Sequence, residues 1–178
     1  MFTHNRWLIA AFYLAISISM PTETLAAEGP ALGIELSADE VATADITVMP
    51  DGEGLPAGSG TAKAGTGVYV ANCKACHGEK GTGGINDTLV GGHGSLTSDR
   101  PQKTIGSYWP YATTLFDYVR RAMPYQTPGS LANDDVYAVT AYLLYLNGII
   151  KENKELNADT LAEVKMPNRD NFVWAYSP

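Results

Sequence analysis

Cys73-Lys74-Ala75-Cys76-His77-Gly78 holds both cysteines of this 178-residue chain. Two cysteines separated by two residues can form a disulfide, part of a zinc site, a redox switch or an anchor for haem. The choice decides the fold. It turns on the compartment the chain enters and on which other ligands it carries.

The chain opens MFTHNRWLIAAFYLAISISMPTETLAAEGP. A short basic stretch with Arg6 precedes an apolar run from Trp7 to Met20, which Pro21 breaks. A bilayer span needs about 20 apolar residues, and this run is shorter. It has the basic start, apolar middle and small-residue exit of a secretory signal. Thr24-Leu25-Ala26 is an acceptable cleavage box, and Leu25-Ala26-Ala27 is the alternative. Residues 1–26 are therefore expected to be removed, leaving an exported, periplasmic protein. No later segment is apolar enough to be a membrane span.

An oxidising compartment argues against two free thiols. A disulfide here would close a tiny loop and constrain little. Zinc needs four ligands, and the chain after residue 26 offers Cys73, Cys76, His77 and His93, with Cys76 and His77 adjacent. A thioredoxin-type switch expects a strand-to-helix junction, and AKAGTGVYVAN before the pair has no strand pattern. C-x-x-C-H remains, the attachment site of a covalent c-type haem, with His77 as the iron's proximal ligand. A single such site means one haem c per chain.

The opposite axial position separates electron carriers from oxygen binders and catalysts. Met123 is the favoured ligand. It follows a helix, and Pro124 turns the chain back beyond it. Met166, in a second Met-Pro pair, and His93, in a glycine-rich loop, are the alternatives. A closed His/Met iron favours electron transfer over substrate chemistry, so no catalytic residue is assigned. Tyr108 and Trp109, in GSYWPYATT, have polar tips and broad rings suited to haem propionates and the haem edge. Plain core packing explains them nearly as well.

The formal charge of −7 makes nucleic acid an unsuitable partner. That acidity is concentrated. Residues 28–60 hold seven acids (Glu28, Glu35, Asp39, Glu40, Asp45, Asp51 and Glu53) and neither Lys nor Arg. The boundaries read as a signal peptide at 1–26, an acidic arm at 27–60, a haem domain at 61–147 and a C-terminal extension at 148–178. In the arm, Ser37-x-x-Glu40 is a capping box for one or two helical turns through Ala44. Ile46 and Val48 alternate with polar residues, and PDGEGLPAGSG is loop chemistry. The aliphatic residues suggest an ordered strap rather than a tether. A haem domain this small gains little by covering itself, so the strap is expected to dock on a partner.

The haem domain reads as all-α. A first helix is expected through Ala64–Ala71, with Gly65 and Tyr69 on one face. The stretch 78–96 carries seven glycines and reads as loop. Thr113 or Thr114 is expected to cap LFDYVRRA, and Asn133 to cap DDVYAVTAYLLYLN, with Val136, Val139 and Leu143 as its buried stripe and Gly148 as its stop.

Gly65, Tyr69, C-x-x-C-H-G, Leu89-x-Gly91, Met123-Pro124 and DDVYAVTAYLLYL together resemble class I cytochrome c over residues 61–147. The resemblance implies that Gly65 and Tyr69 cross the last helix at Val139 and Tyr142. It also implies that the carbonyl two residues before Leu89 accepts from the proximal histidine. That residue is usually proline, and here it is Asp87.

DITVMPDGEGLPAGSGTA, GSYWPYATTLFDYVRRAMPY, VYAVTAYLLYLNGII and KMPNRDNF are similar to the cytochrome c subunit of periplasmic molybdenum-containing sulfur dehydrogenases. These are the sulfane dehydrogenase of the Sox system and its sulfite dehydrogenase relatives. The resemblance implies electrons received from a molybdenum-containing sulfite/sulfane dehydrogenase subunit and passed to a downstream cytochrome or oxidase. A free-standing electron shuttle, or a cytochrome subunit of another periplasmic dehydrogenase, is the alternative. A haem sensor or catalyst with a labile sixth ligand is disfavoured by Met123-Pro124.

Overall fold

The computed structural model describes residues 32–173 and residue 175. The expected signal segment 1–26 lies outside the described residues. The chain divides into two units, one ending at Ala42 and the other beginning at Thr43.

In the described part of the first unit, Ser37 and Glu40 form the expected reciprocal cap. The Glu40 amide donates to Ser37 Oγ at 3.3 Å, and the Ser37 amide donates to Glu40 Oε2 at 2.9 Å. Two of the amides left open at a helix start are thereby satisfied. Helix α1 (Ala38–Ala44) follows, with no buried residue. The same bonds from Ser37, the backbone one first, hold the Glu40 carboxyl below its usual range.

The second unit is mostly helical, as its periodicities foretell. Strand β1 (Ser59–Thr61) runs straight into helix α2 (Ala62–Asn72), followed by the single turn α3 (Lys74–His77). Helix α4 (Ala112–Ala122) and helix α5 (Asn133–Leu146) come next, and then strand β2 (Glu155–Asn157). Short 3-10 turns lie at Ser95–Thr97 and Arg169–Asn171.

Helix α5 is the centre of this unit. Every residue from Val136 to Leu144 is buried. The expected stripe of Val136, Val139 and Leu143 is thus widened to the whole circumference, as befits a helix with neighbours on all sides. Helix α4 is one-sided instead, burying Ala112, Leu115, Phe116 and Val119 at helical spacing. Phe116 meets Tyr137 of α5 with ring centroids 4.4 Å apart.

Helices α2 and α5 cross where α2 has no side chain. A Cβ on Gly65 would collide with the carbonyl oxygen of Ala138, and one on Gly60 would collide with the Ala138 backbone. One turn further on, Tyr69 packs on Tyr142 at 5.3 Å. The residue under Gly65 is therefore Ala138 and not its neighbour Val139, while the Tyr69–Tyr142 pairing is as expected.

The caps differ in detail. Thr61 caps α2, its Oγ1 accepting from the Ala64 amide at 3.3 Å. Neither Thr113 nor Thr114 caps α4, whose N-cap is Tyr111 without a side-chain bond. Thr113 lies inside the helix and donates to the carbonyl of Pro50 at 3.1 Å. Asn133 is the first residue of α5, after Ala132, and donates to the carbonyl of Ala57 at 3.2 Å.

Residues 43–60 of the expected arm fall in the same compact unit as the 61–147 domain and pack on it, so this small domain does cover itself. Val48 is a core residue, Tyr137 Oη donates to the carbonyl of Pro56 at 2.9 Å, and Arg121 donates to the carbonyl of Ile46 at 3.2 Å. The tail is not a mere extension either. Strand β2 pairs antiparallel with β1, Gly60 opposite Leu156, and Leu156, Leu161, Val164 and Met166 join the core. About ninety residues bury a modest core, and both flanks enlarge it.

The crossing yields a paired prediction. Gly65→Ala forces a methyl into the Ala138 carbonyl and should cost about 1–3 kcal/mol as overpacking. Gly67→Ala, two residues along, meets nothing within 4 Å and should be neutral or stabilising by up to about 1 kcal/mol. Thermal unfolding of both variants checks this. Equal stability of the two would mean that α2 and α5 do not cross at Gly65.

Candidate functional site

The C-x-x-C-H stretch folds as one helical turn. The Cys73 amide donates to the carbonyl of Tyr69 at 2.8 Å, and the His77 amide donates to the carbonyl of Cys73 at 3.0 Å. Cys73, Cys76 and His77 therefore stand at i, i+3 and i+4, on one face of the helix. The two thiols are not joined to each other. Burial, with Cys76 nearby, pushes the Cys73 thiol up to about 11, so it is not an exposed reactive thiolate.

The chain must then leave the helix at once, and Gly78 permits it. Its φ of +82° suits glycine, and a Cβ there would strike the carbonyl of Thr82. Tyr69 Oη donates to the Gly78 carbonyl at 2.8 Å, tying this turn back to α2. The loop next passes under the imidazole. His77 Nδ1 lies 2.8 Å from the carbonyl oxygen of Asp87. A carbonyl only accepts, so Nδ1 carries the proton and Nε2 keeps its lone pair for a metal. The contact needs a carbonyl at this place rather than a proline ring, which is why Asp87 serves.

Cys73, Cys76 and His77 line a cavity of about 680 Å³. Its wall includes Ile105, Leu115, Val119, Val139 and Leu143, all buried apolar residues of the core. Met123, the C-cap of α4, and Pro124 also line it. Trp109 is in the wall and meets Tyr118 edge-on at 5.6 Å. The structure thus gathers Cys73, Cys76, His77, Met123 and Trp109 around one space.

Tyr108 is not part of that wall. Its ring, 37 % exposed, instead packs against Phe172 at 5.5 Å, with the Lys103 ammonium 5.0 Å above it. Met166 is a buried core residue outside the cavity wall, and His93 is an exposed loop residue also outside it. Among the candidate axial ligands, Met123 is the one in position to serve this cavity.

Some contributors carry no sequence signal of their own. Lys103 lines the cavity, with its ammonium over the ring of Tyr108. Asn147, buried beyond the end of α5, accepts from the Gly91 amide at 3.1 Å and donates to the Leu89 carbonyl at 3.2 Å. It fixes the loop that follows Asp87. Only a fold that returns α5 to this loop makes Asn147 informative.

A haem fits these residues. The cavity is apolar at its base, as a macrocycle requires. Its donors are two thiols on one helical face, an imidazole whose outer nitrogen is already satisfied, and one thioether.

The family model for Cytochrome c matches residues 62–147. A search among curated proteins found no match. Among solved structures, the chain is similar to one described as the crystal structure of the sulfane dehydrogenase SoxCD from Paracoccus pantotrophus. The two are 42% identical with a TM-score of 0.75, and the match covers 82% of this chain and 72% of that one. That likeness, with the turn that aligns Cys73, Cys76 and His77 on one cavity, leads to one conclusion: the chain belongs to the cytochrome c family and is an electron-transfer protein.

Proposed function

We propose that this cytochrome works in the periplasm, taking single electrons from a molybdenum-containing sulfane or sulfite dehydrogenase subunit and passing them to a downstream cytochrome or oxidase. The observation that carries the proposal is the reach of the likeness to the sulfane dehydrogenase structure. At 82% of the chain it extends well beyond the 62–147 haem domain. A diffusing shuttle has no need of matched flanks.

When bound, haem c supplies a reversible one-electron iron couple. The chain's own residues set its conditions. Cys73 and Cys76 hold the group covalently, one group per chain. His77, oriented by the Asp87 carbonyl, offers Nε2 to the iron. Met123 offers a thioether, a soft donor that favours the ferrous state and raises the potential. Trp109 and the aliphatic residues give part of the cavity an apolar lining.

Residues 28–42 remain as the docking element for the dehydrogenase subunit. They hold Glu28, Glu35, Asp39 and Glu40 without a Lys or Arg. Leu32, Ile34, Leu36 and Val41 are all exposed. Charge of one sign sets association rate and register, and aliphatic anchors carry more of the affinity.

Three outcomes test this reading. Denaturing electrophoresis should leave haem colour on the polypeptide at one haem per chain, and colour lost in acid acetone would refute covalent attachment. Met123→Ala should lower the midpoint potential and admit carbon monoxide. Met166→Ala should leave the spectrum alone while costing about 2–5 kcal/mol of stability, as removal of a buried methionine does. The ligand assignment fails if the spectral change follows Met166 instead. Finally, sulfite or thiosulfate should reduce the haem through the co-purifying molybdenum subunit, and deletion of residues 28–42 should slow that reduction with the haem spectrum intact. A deletion variant reduced as fast as the parent protein would show that the acidic segment is a linker.

A further inference from the structure

The tail between Met166 and Phe172 touches Tyr108 and Tyr111, the two tyrosines that flank Trp109-Pro110. Asn168, only 7% exposed, donates from Nδ2 to the main-chain carbonyl of Tyr108 at 2.8 Å. Its Oδ1 accepts from Asn171 Nδ2 at 3.0 Å, so both ends of the amide are engaged and its orientation is set. Phe172 stacks edge-on against the Tyr108 ring at 5.5 Å. The Arg169 guanidinium sits 5.2 Å from the centre of the Tyr111 ring. Met166, 4% exposed, roots this segment in the core. Trp109 itself makes none of these contacts. It faces the cavity and Tyr118.

A clamp on Tyr108 and Tyr111, with Trp109 between them left to the cavity, is an arrangement for aiming that residue. Core packing alone would not require a buried amide. Tyr108 then has a use that its absence from the cavity wall had left open: it is where the tail takes hold. The chain approaches Pro110 here, and among the described residues no other backbone amide is seen to donate to the Tyr108 carbonyl. Without Asn168 that carbonyl would be left unpaired, and the loop would shift to reach water.

We propose that Asn168 is a positioning residue for the haem site, holding the 108–111 loop so that Trp109 closes the cavity against water, and that the tail thereby tunes the potential and protects the Met123 ligand. The inference rests on haem c occupying the cavity and is independent of which protein donates the electron. Water admitted beside the iron stabilises the more highly charged oxidised state, so a loosened loop lowers the potential. It also opens a path for small external ligands to compete with the Met123 thioether.

The experiment compares Asn168→Leu, of similar volume but without a donor, and Asn168→Ala with the parent holoprotein. Haem content is confirmed spectrally for each variant, so loss of haem is not mistaken for loss of the clamp. Midpoint potential and imidazole affinity are the readouts. Both variants should have a lower potential and bind imidazole several-fold more tightly. Leu161→Ala, a fully buried tail residue outside the clamp, should lose stability and keep both values. If neither Asn168 variant retains haem, Phe172→Ala strips the ring from Tyr108 at a half-exposed position and should shift both readouts the same way. An unchanged potential and imidazole affinity in the clamp variants would overturn the proposal. So would an equal shift in Leu161→Ala, since the effect would then be general loosening.

Discussion

The backbone of Ala138 is the point on which this structure rests. Two segments approach it so closely that neither can carry a side chain there, Gly60 at the end of the strap and Gly65 in α2. This close approach fixes α2 against α5, and everything at the haem site follows from that. Helix α2 delivers the Cys73–His77 turn, and α5 supplies Val139 and Leu143 to the cavity wall. Tyr69 extends the contact by packing on Tyr142 and by bonding to Gly78, so the crossing reaches the loop that passes under His77.

What the sequence made legible was local. C-x-x-C-H lies within one helical turn, so its spacing states its geometry directly. The capping box at Ser37 and the helical periods of α2, α4 and α5 are local in the same sense, and their ends fall within about three residues of expectation, α4 starting at Ala112 rather than Leu115. The contacts that were not legible join distant segments. Strands β1 and β2 have three residues each and pair across nearly the whole domain, too short to show alternation. Asn133 has an ideal capping composition, but a carbonyl from the strap draws its side chain away, and Ala132 occupies the cap. Tertiary partners outbid the local preference at that position.

The candidate site divides along the same line. Cys73, Cys76, His77 and Met123 announce themselves by chemistry. Tyr108 and Trp109 share an aromatic, polar-tipped character, and composition cannot say which of two adjacent rings faces inward. The structure separates them, Trp109 to the cavity and Tyr108 to the tail. Asp87 shows the opposite case. Its identity departs from the usual proline, yet its function resides in a main-chain oxygen that every residue possesses. Side-chain identity predicts a contact poorly when the contact is made by backbone.

The pairing of Ser59–Thr61 with Glu155–Asn157 has a further consequence. It joins residues from before α2 to residues from after α5, so the loop it closes contains Cys73, Cys76, His77 and Met123. Pairing across so long a stretch of chain costs loop-closure entropy before it returns any contact. The two strands therefore close late, once the helices between them have gathered, and act as a latch on a core already assembled.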